Sequence, residues 1–172
     1  MPFDPGTSGY LIAITGIPSA GKSTVAREVA SRTSTFRYVD GDAFIRRTRP
    51  SQRLAQASRI FGRMLDMIEA QLTLSNVVLD AAFPASYTLR ARERFRTNMM
   101  LVSLRIDESE WRRRDSRRND RGALEYWHAS LTSLQGAENL YDLVIDTTDT
   151  PPDKCAEAIL SKARERWEDV RP

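Results

Sequence analysis

The sequence predicts an α/β fold in three layers, a five-stranded parallel sheet with helices on both faces. Two observations predict it. Five short apolar runs alternate with stretches of helical periodicity along the chain, and strands joined through helices pair in parallel with those helices packed over both faces. Three of the five runs end in aspartate, at Asp40, Asp80 and Asp146. That places acidic groups at the carboxyl edge of the sheet, where ligands of such sheets bind.

Taken in order, residues 1–8, with Pro2, Pro5, Gly6 and Ser8, read as a loose leader. Residues 10–15 are an apolar run that stops at Gly16, the first strand, and 23–32 place Val25, Val29 and Ala30 at helical spacing. Residues 36–39 form the second strand, closed by Asp40. Residues 51–75 carry Leu54, Ala57, Phe61, Met64, Leu65, Ile68 and Leu72 along one stripe of an amphipathic helix. The third strand, 76–79, ends at Asp80; 89–97 is a short arginine-rich helix; 99–106 is the fourth strand. A charged helix is expected over 108–119 and another over 123–134. The last strand, 140–145, ends at Asp146, and Pro152 opens a final helix through Trp167, in the first turn where proline costs nothing.

Composition narrows the function. A length of 172 residues suits one domain spanning 1–172. Hydrophobic residues at 41% and charged residues at 28% exclude a disordered or fibrous chain. No apolar run approaches the ~18 residues of a membrane span, and residues 1–9 lack the basic and apolar regions of a secretory signal. Cys155 is the one cysteine, so no intrachain disulfide forms and a cytoplasmic setting is expected. A net charge of +3 with pI ≈ 9.3 permits an anionic ligand without requiring nucleic acid.

The segment Gly16-Ile-Pro-Ser-Ala-Gly21-Lys22-Ser23-Thr24 fits G-x-x-x-x-G-K-[ST], the Walker A pattern. Gly16 and Gly21 let the backbone turn with no side chain in the way. The loop N–H groups around Ser19, Ala20 and Gly21 then face phosphate oxygens, and the helix opening near Lys22 adds its positive dipole end. Lys22 reaches the terminal phosphates, the Ser23 hydroxyl ligates Mg²⁺, and Thr24 supports the α-phosphate side. The confirming context, a strand before and a helix after, is present. No Asn/Thr-Lys-x-Asp guanine motif occurs, so ATP with Mg²⁺ is the expected nucleotide and the expected class is a P-loop kinase fold.

A small kinase also needs an acceptor site and a lid. Asp40, past the second strand, is the candidate base for a substrate hydroxyl; the alternative is an Asp-Gly turn with Asp42 capping the next helix. Arg46, Arg47 and Arg49 line a pocket for an anionic acceptor or lie on a solvated face. Phe44, Phe83 and Tyr87 are candidate apolar walls or ordinary core. Asp80 ends a strand resembling Walker B and is placed to hold the Mg²⁺ hydration shell or the acceptor. Six arginines lie in residues 111–121, making about 108–122 the expected lid, with Arg117, Arg118 and Arg121 stabilising the transferring group and Arg113 and Arg114 assisting. The loop of Asp146, Thr147 and Thr148 is a candidate wall for adenine. His128 and Cys155 are read as packing residues.

The chain resembles the chloramphenicol phosphotransferase family of P-loop small-molecule kinases. The resemblance rests on residues 16–24, the Val-Asp40 strand end, Val77-Val78-Leu79-Asp80-x-x-Phe83, Asn119-Asp120-Arg121-Gly122, and Tyr141-Asp142-Leu143-Val144-Ile145-Asp146-Thr147 running into Pro152 and Cys155-Ala156. It implies transfer of phosphate from ATP to a hydroxyl of a small molecule, an antibiotic or other secondary metabolite, with Asp40 as base. Asp40-Gly41-Asp42 is also similar to the Asp-Gly-Asp of adenylylsulfate and gluconate kinases, which implies instead an anionic acceptor such as adenylylsulfate, a sugar acid or a nucleotide. The third reading, a polynucleotide kinase or ATP-gated nucleic-acid-binding module, has only the arginine run and the basic pI behind it, with little aromatic interleaving. Oligomeric state is not legible.

Overall fold

The computed structural model describes residues 9–46, 53–82, 85–116 and 138–167. Their elements follow in order: β1 (Leu11–Gly16), α1 (Lys22–Ser31), β2 (Phe36–Asp40), α2 (Asp42–Arg46), α3 (Arg53–Leu72), β3 (Asn76–Asp80), α4 (Ala85–Phe95), β4 (Met99–Arg105), α5 (Glu108–Asp115), β5 (Leu143–Asp146) and α6 (Pro152–Arg166). The expected helix over 123–134 lies outside the described residues.

The five strands form one sheet in the order β2-β3-β1-β4-β5, and every pair is parallel. β1 is central and buried at all six positions, so both of its faces must be apolar. Ile12 and Ile14 join Val25, Ala26 and Val29 of α1 and Cys155, Ile159 and Ala163 of α6 in one core. Leu11 and Ala13 face the other way, into a second core with Phe61, Leu65 and Ile68 of α3 and Phe95 of α4. Alternation along β1 thus builds two cores and three layers. Among the described residues no helix is long and apolar enough to cross a membrane.

Chain direction positions the site. From β1 the chain crosses past β3 to reach β2, and from β3 it crosses past β1 to reach β4. Neighbouring β1 and β3 therefore send their connections to opposite sides, which opens a crevice at their carboxyl ends. Residues 16–21 and Asp80 meet there.

Two elements start away from their expected positions for physical reasons. α4 starts at Ala85, before residue 89. Its buried stripe is Thr88, Ala91 and Phe95, while Leu89 is 48% exposed, so a polar threonine hides the start of the inward face. β5 starts at Leu143 rather than 140, after a 3₁₀ turn at Glu138–Leu140. The Asp142 carboxylate there accepts the Leu101 N–H at 2.7 Å and pairs with Arg92 and Arg166 at 2.8 and 2.7 Å.

Candidate active site

The loop after β1 is shaped by three residues with positive φ: Gly16 at 151°, Ser19 at 65° and Gly21 at 92°. A Cβ on Gly16 would lie 2.5 Å from the Leu104 carbonyl oxygen of β4, so the central strands themselves demand glycine there. Gly21 is the N-cap of α1, which has no side-chain cap and no acidic residue in its first turn. The contrast with α5 is informative. There the Asp107 carboxylate caps the Glu110 N–H at 2.7 Å, and Glu108 and Glu110 occupy the first turn. The α1 terminus keeps its positive end open to an anion.

This terminus floors a cleft of about 640 Å³. Residues 19–25 form one wall, Glu110, Arg113 and Arg114 a second, residues 147–152 a third, and Asp42 also lines the cleft. Lys22 is 7% exposed, and its Nζ donates to the Ile17 carbonyl at 3.1 Å, folding the ammonium back over the loop. Ser23 and Thr24 follow on the first turn of α1, within the cleft.

Behind Ser23 lies Asp80, fully buried, and neither carboxylate oxygen has a hydrogen-bond partner. Burial pushes its pKa above the usual carboxylate range. The Ser23 and Tyr38 hydroxyls face it and pull the other way, while Asp40 and Asp42 add to the rise. That attraction stops short of a closed hydrogen bond, since the Tyr38 hydroxyl is also buried without a partner. The Tyr38 pKa is raised by burial and by the charges of Asp80 and Asp40, against a guanidinium, Arg27, 5.1 Å over its ring. A buried carboxylate without a donor is costly unless a cation arrives. Ser23 and Asp80 are hard oxygen donors that fit Mg²⁺, and no cage of three or more ligating side chains exists among the described residues. That combination suits an ion which brings its remaining ligands as phosphates and water.

Asp40 and Asp42 divide their work in an unexpected way: the Asp40 Oδ1 caps α2 by accepting the Ala43 N–H at 3.0 Å, whereas Asp42 lines the cleft. The Asp42 Oδ1 also accepts the Ala82 N–H at 3.3 Å, joining the β2 and β3 exits. Gly41 allows this pairing, because a Cβ would meet the Asp80 carbonyl at 2.6 Å. Phe44 packs against the core formed by α3 and β3, the second of its two expected roles, because α2 lies against α3. Arg113 lines the cleft, ion-paired to Glu110 at 2.5 Å. Thr147 also lines it, but its hydroxyl lies within bonding distance of the Ala20 and Arg105 carbonyls, at 3.0 and 2.9 Å. The side chain of Arg46, and Arg47, Arg49, Phe83, Arg117, Arg118 and Arg121, lie outside the described residues.

The profile of the chloramphenicol phosphotransferase-like protein family matches residues 9–164. The chain belongs to that family. Membership carries the reaction class, a kinase. No curated protein sequence matches the chain. Among solved structures it is similar to a sugar kinase from Janibacter sp. HTCC2649, with TM-score 0.75, 18% identity, and 95% and 99% of the two chains covered. A gluconokinase from Sinorhizobium meliloti 1021 superposes with TM-score 0.68 at 18% identity over 99% and 97%. The adenylylsulfate (APS) kinase of Mycobacterium tuberculosis, solved with AMPPNP and APS, superposes with TM-score 0.63 at 18% identity over 91% and 98%. At this identity the likeness is one of fold.

Two residues at the site, Trp111 and Asp115, escaped the sequence reading, as did the contacts of the lid candidate Arg114. Trp111 donates its indole N–H to the Pro18 carbonyl at 2.9 Å. Asp115 accepts from the Ser19 hydroxyl at 3.0 Å. Arg114 bonds Glu110 at 2.6 Å and the Thr147 carbonyl at 2.6 Å, tying α5 to the β5 exit. All three sit inside the arginine-rich stretch, where their spacing of three and four residues marks one helical face.

Proposed function

We propose that this protein transfers the terminal phosphoryl group of ATP to a hydroxyl of a small molecule. The observation carrying the reading is the buried, unpartnered Asp80 carboxylate behind Ser23, beside the uncapped N-terminus of α1. The first needs a cation and the second an anion, and a metal–nucleotide complex supplies both.

Residues 16–24 hold the phosphate chain, with Lys22 against the terminal phosphates. Ser23 and Asp80 would hold Mg²⁺, which when bound would supply positive charge against the phosphates. Adenine lies against the wall of residues 147–152. Asp42, as the cleft-lining carboxylate, accepts the proton of the acceptor hydroxyl. The resemblance implies Asp40 instead; each carboxylate accepts a backbone N–H through its Oδ1, at 3.0 Å for Asp40 and 3.3 Å for Asp42, and what favours Asp42 is that it lines the cleft. As the acceptor oxygen bonds to phosphorus, the bond to the leaving ADP oxygen breaks and the proton passes to Asp42. Arg113, at the cleft wall, offers positive charge to the nucleotide, and the lid arginines Arg117, Arg118 and Arg121 are assigned the same task. The acceptor is a small hydroxylated compound. Family membership puts chloramphenicol-like antibiotics first, and the shared fold puts sugar acids and adenylylsulfate next.

The test is phosphate transfer from labelled ATP, with Mg²⁺, across antibiotics, sugar acids, adenylylsulfate, nucleosides and short oligonucleotides. Transfer to one small-molecule class is expected. Asp42→Asn should lower kcat by about 10²–10⁴-fold at nearly unchanged ATP affinity, and Lys22→Ala should lose ATP affinity as well. Full turnover in Asp42→Asn with loss in Asp40→Asn would return the base to Asp40, and transfer only to oligonucleotides would sink the small-molecule acceptor.

A further inference from the structure

We infer that Asp115 is a positioning residue for the phosphate loop, holding Ser19 in a left-handed backbone conformation that the loop needs and that serine resists. The inference rests on the nucleotide site proposed above.

Ser19 has φ 65°, in the region glycine enters readily and residues with a Cβ do not. A strained residue persists only where its surroundings over-determine it. Here the Ser19 hydroxyl donates to the Asp115 Oδ1 at 3.0 Å. Asp115 is 6% exposed, at the last position of α5. One turn earlier, Trp111 is 4% exposed and grips the preceding loop residue through the Pro18 carbonyl. From the other side the Thr147 hydroxyl reaches the Ala20 carbonyl. Loop residues 18, 19 and 20 are therefore each held by a partner outside the loop.

The direction of these bonds matters. In a trans peptide the N–H points opposite to the C=O. With the Pro18 carbonyl drawn to Trp111 and the Ala20 carbonyl to Thr147, the Ser19 and Gly21 N–H groups turn away from those partners. Carbonyl oxygens, which repel phosphate, are thereby kept off the anion's side. A buried carboxylate beside an anion-binding loop is electrostatically unfavourable. Its presence is accounted for by the one thing it does better than a neutral side chain, accepting a strong hydrogen bond from the strained serine.

The experiment is a double-mutant cycle on Asp115→Ala and Ser19→Gly, read by titration with a fluorescent non-hydrolysable ATP analogue, by the split between KM for ATP and kcat, and by thermal melting. Asp115→Ala is expected to weaken analogue binding by ~10-fold, with kcat at saturation changing less. Ser19→Gly removes the need for the clamp, so adding Asp115→Ala to it should change affinity by no more than ~3-fold. Asp115→Asn keeps an acceptor oxygen and should restore binding. Wild-type affinity in Asp115→Ala, or an equal loss with and without Ser19→Gly, overturns the inference. If Asp115→Ala does not fold, Ser19→Ala cuts the same bond while keeping the strain. It is expected to lose affinity likewise, and wild-type affinity there overturns the inference. Failure of the wild type to bind the analogue overturns the nucleotide site itself. Binding that is lost in Lys22→Ala and unchanged in Asp115→Ala overturns only the positioning role.

Discussion

At the scale of the residue, Asp80 serves two opposed ends. Buried with both oxygens unpartnered, it destabilises the ligand-free fold, because a charged group has exchanged water for nothing equivalent. Asp80→Asn removes the charge at nearly constant shape. The ligand-free variant is expected to be more stable by about 1–3 kcal/mol and to melt several degrees higher, while losing Mg²⁺-dependent turnover. Differential scanning calorimetry beside the transfer assay checks both halves. A lower melting temperature would mean that Asp80 already has a satisfying partner in the ligand-free protein. Asp40 and Asp42 show the limit of reading residues singly. Asp40 ends β2 and Asp42 opens α2 at the same edge, and nothing in Val-Asp-Gly-Asp says which carboxylate turns back to cap α2 and which turns into the cleft.

At the scale of the element, α5 is where charge pattern and contact diverge. Its arginines look like a solvated cluster, yet Glu110 gathers both Arg113 and Arg114, and Arg114 reaches on to the Thr147 carbonyl. Hydrogen bonds from Arg113 and then Arg114 hold the Glu110 carboxyl well below its usual range, at about 2. The sign follows directly. A depressed folded pKa contributes fully above about pH 4.5 and is lost as pH falls toward about 2. An NMR titration of Glu110 should therefore give a midpoint near 2 in the native protein, and Arg114→Ala should move it upward. A midpoint at the ordinary carboxylate value would show that the two arginines do not hold Glu110 in solution. The helices α1, α3, α4, α5 and α6 and the aspartates that close β2, β3 and β5 were legible because each element carries its own local pattern. α2 was not, because five residues of Asp42–Arg46 are too short to show one.

At the scale of the whole molecule, cleft and scaffold are separable. The network at Asp142, at the entry to β5, joins α4 through Arg92, β4 through the Leu101 N–H and α6 through Arg166. It lies at the amino end of β5, away from the cleft at the carboxyl ends. Asp142→Ala is expected to cost about 1–3 kcal/mol, since two partly exposed arginines and one N–H lose a shared acceptor. Its melting temperature should fall while the affinity of the folded protein for ATP stays at the wild-type value. A loss of affinity without a loss of stability would show that the two ends of the sheet are coupled.

The sequence by itself determined the three-layer fold, the phosphate loop and the kinase class. Each of these is written in local terms: short apolar runs alternating with helical patterning, two glycines at fixed spacing before Lys22, and aspartates at strand ends. Tertiary structure decided what depends on side-chain direction and on segments far apart in the chain. It set the strand order that puts residues 16–21 beside Asp80, the turning of Asp42 rather than Asp40 into the cleft, and the grip of Trp111 and Asp115 on Pro18 and Ser19 across 93 and 96 residues. No local pattern encodes such contacts, because they exist only once the two cores have fixed where α5 lies against the loop after β1.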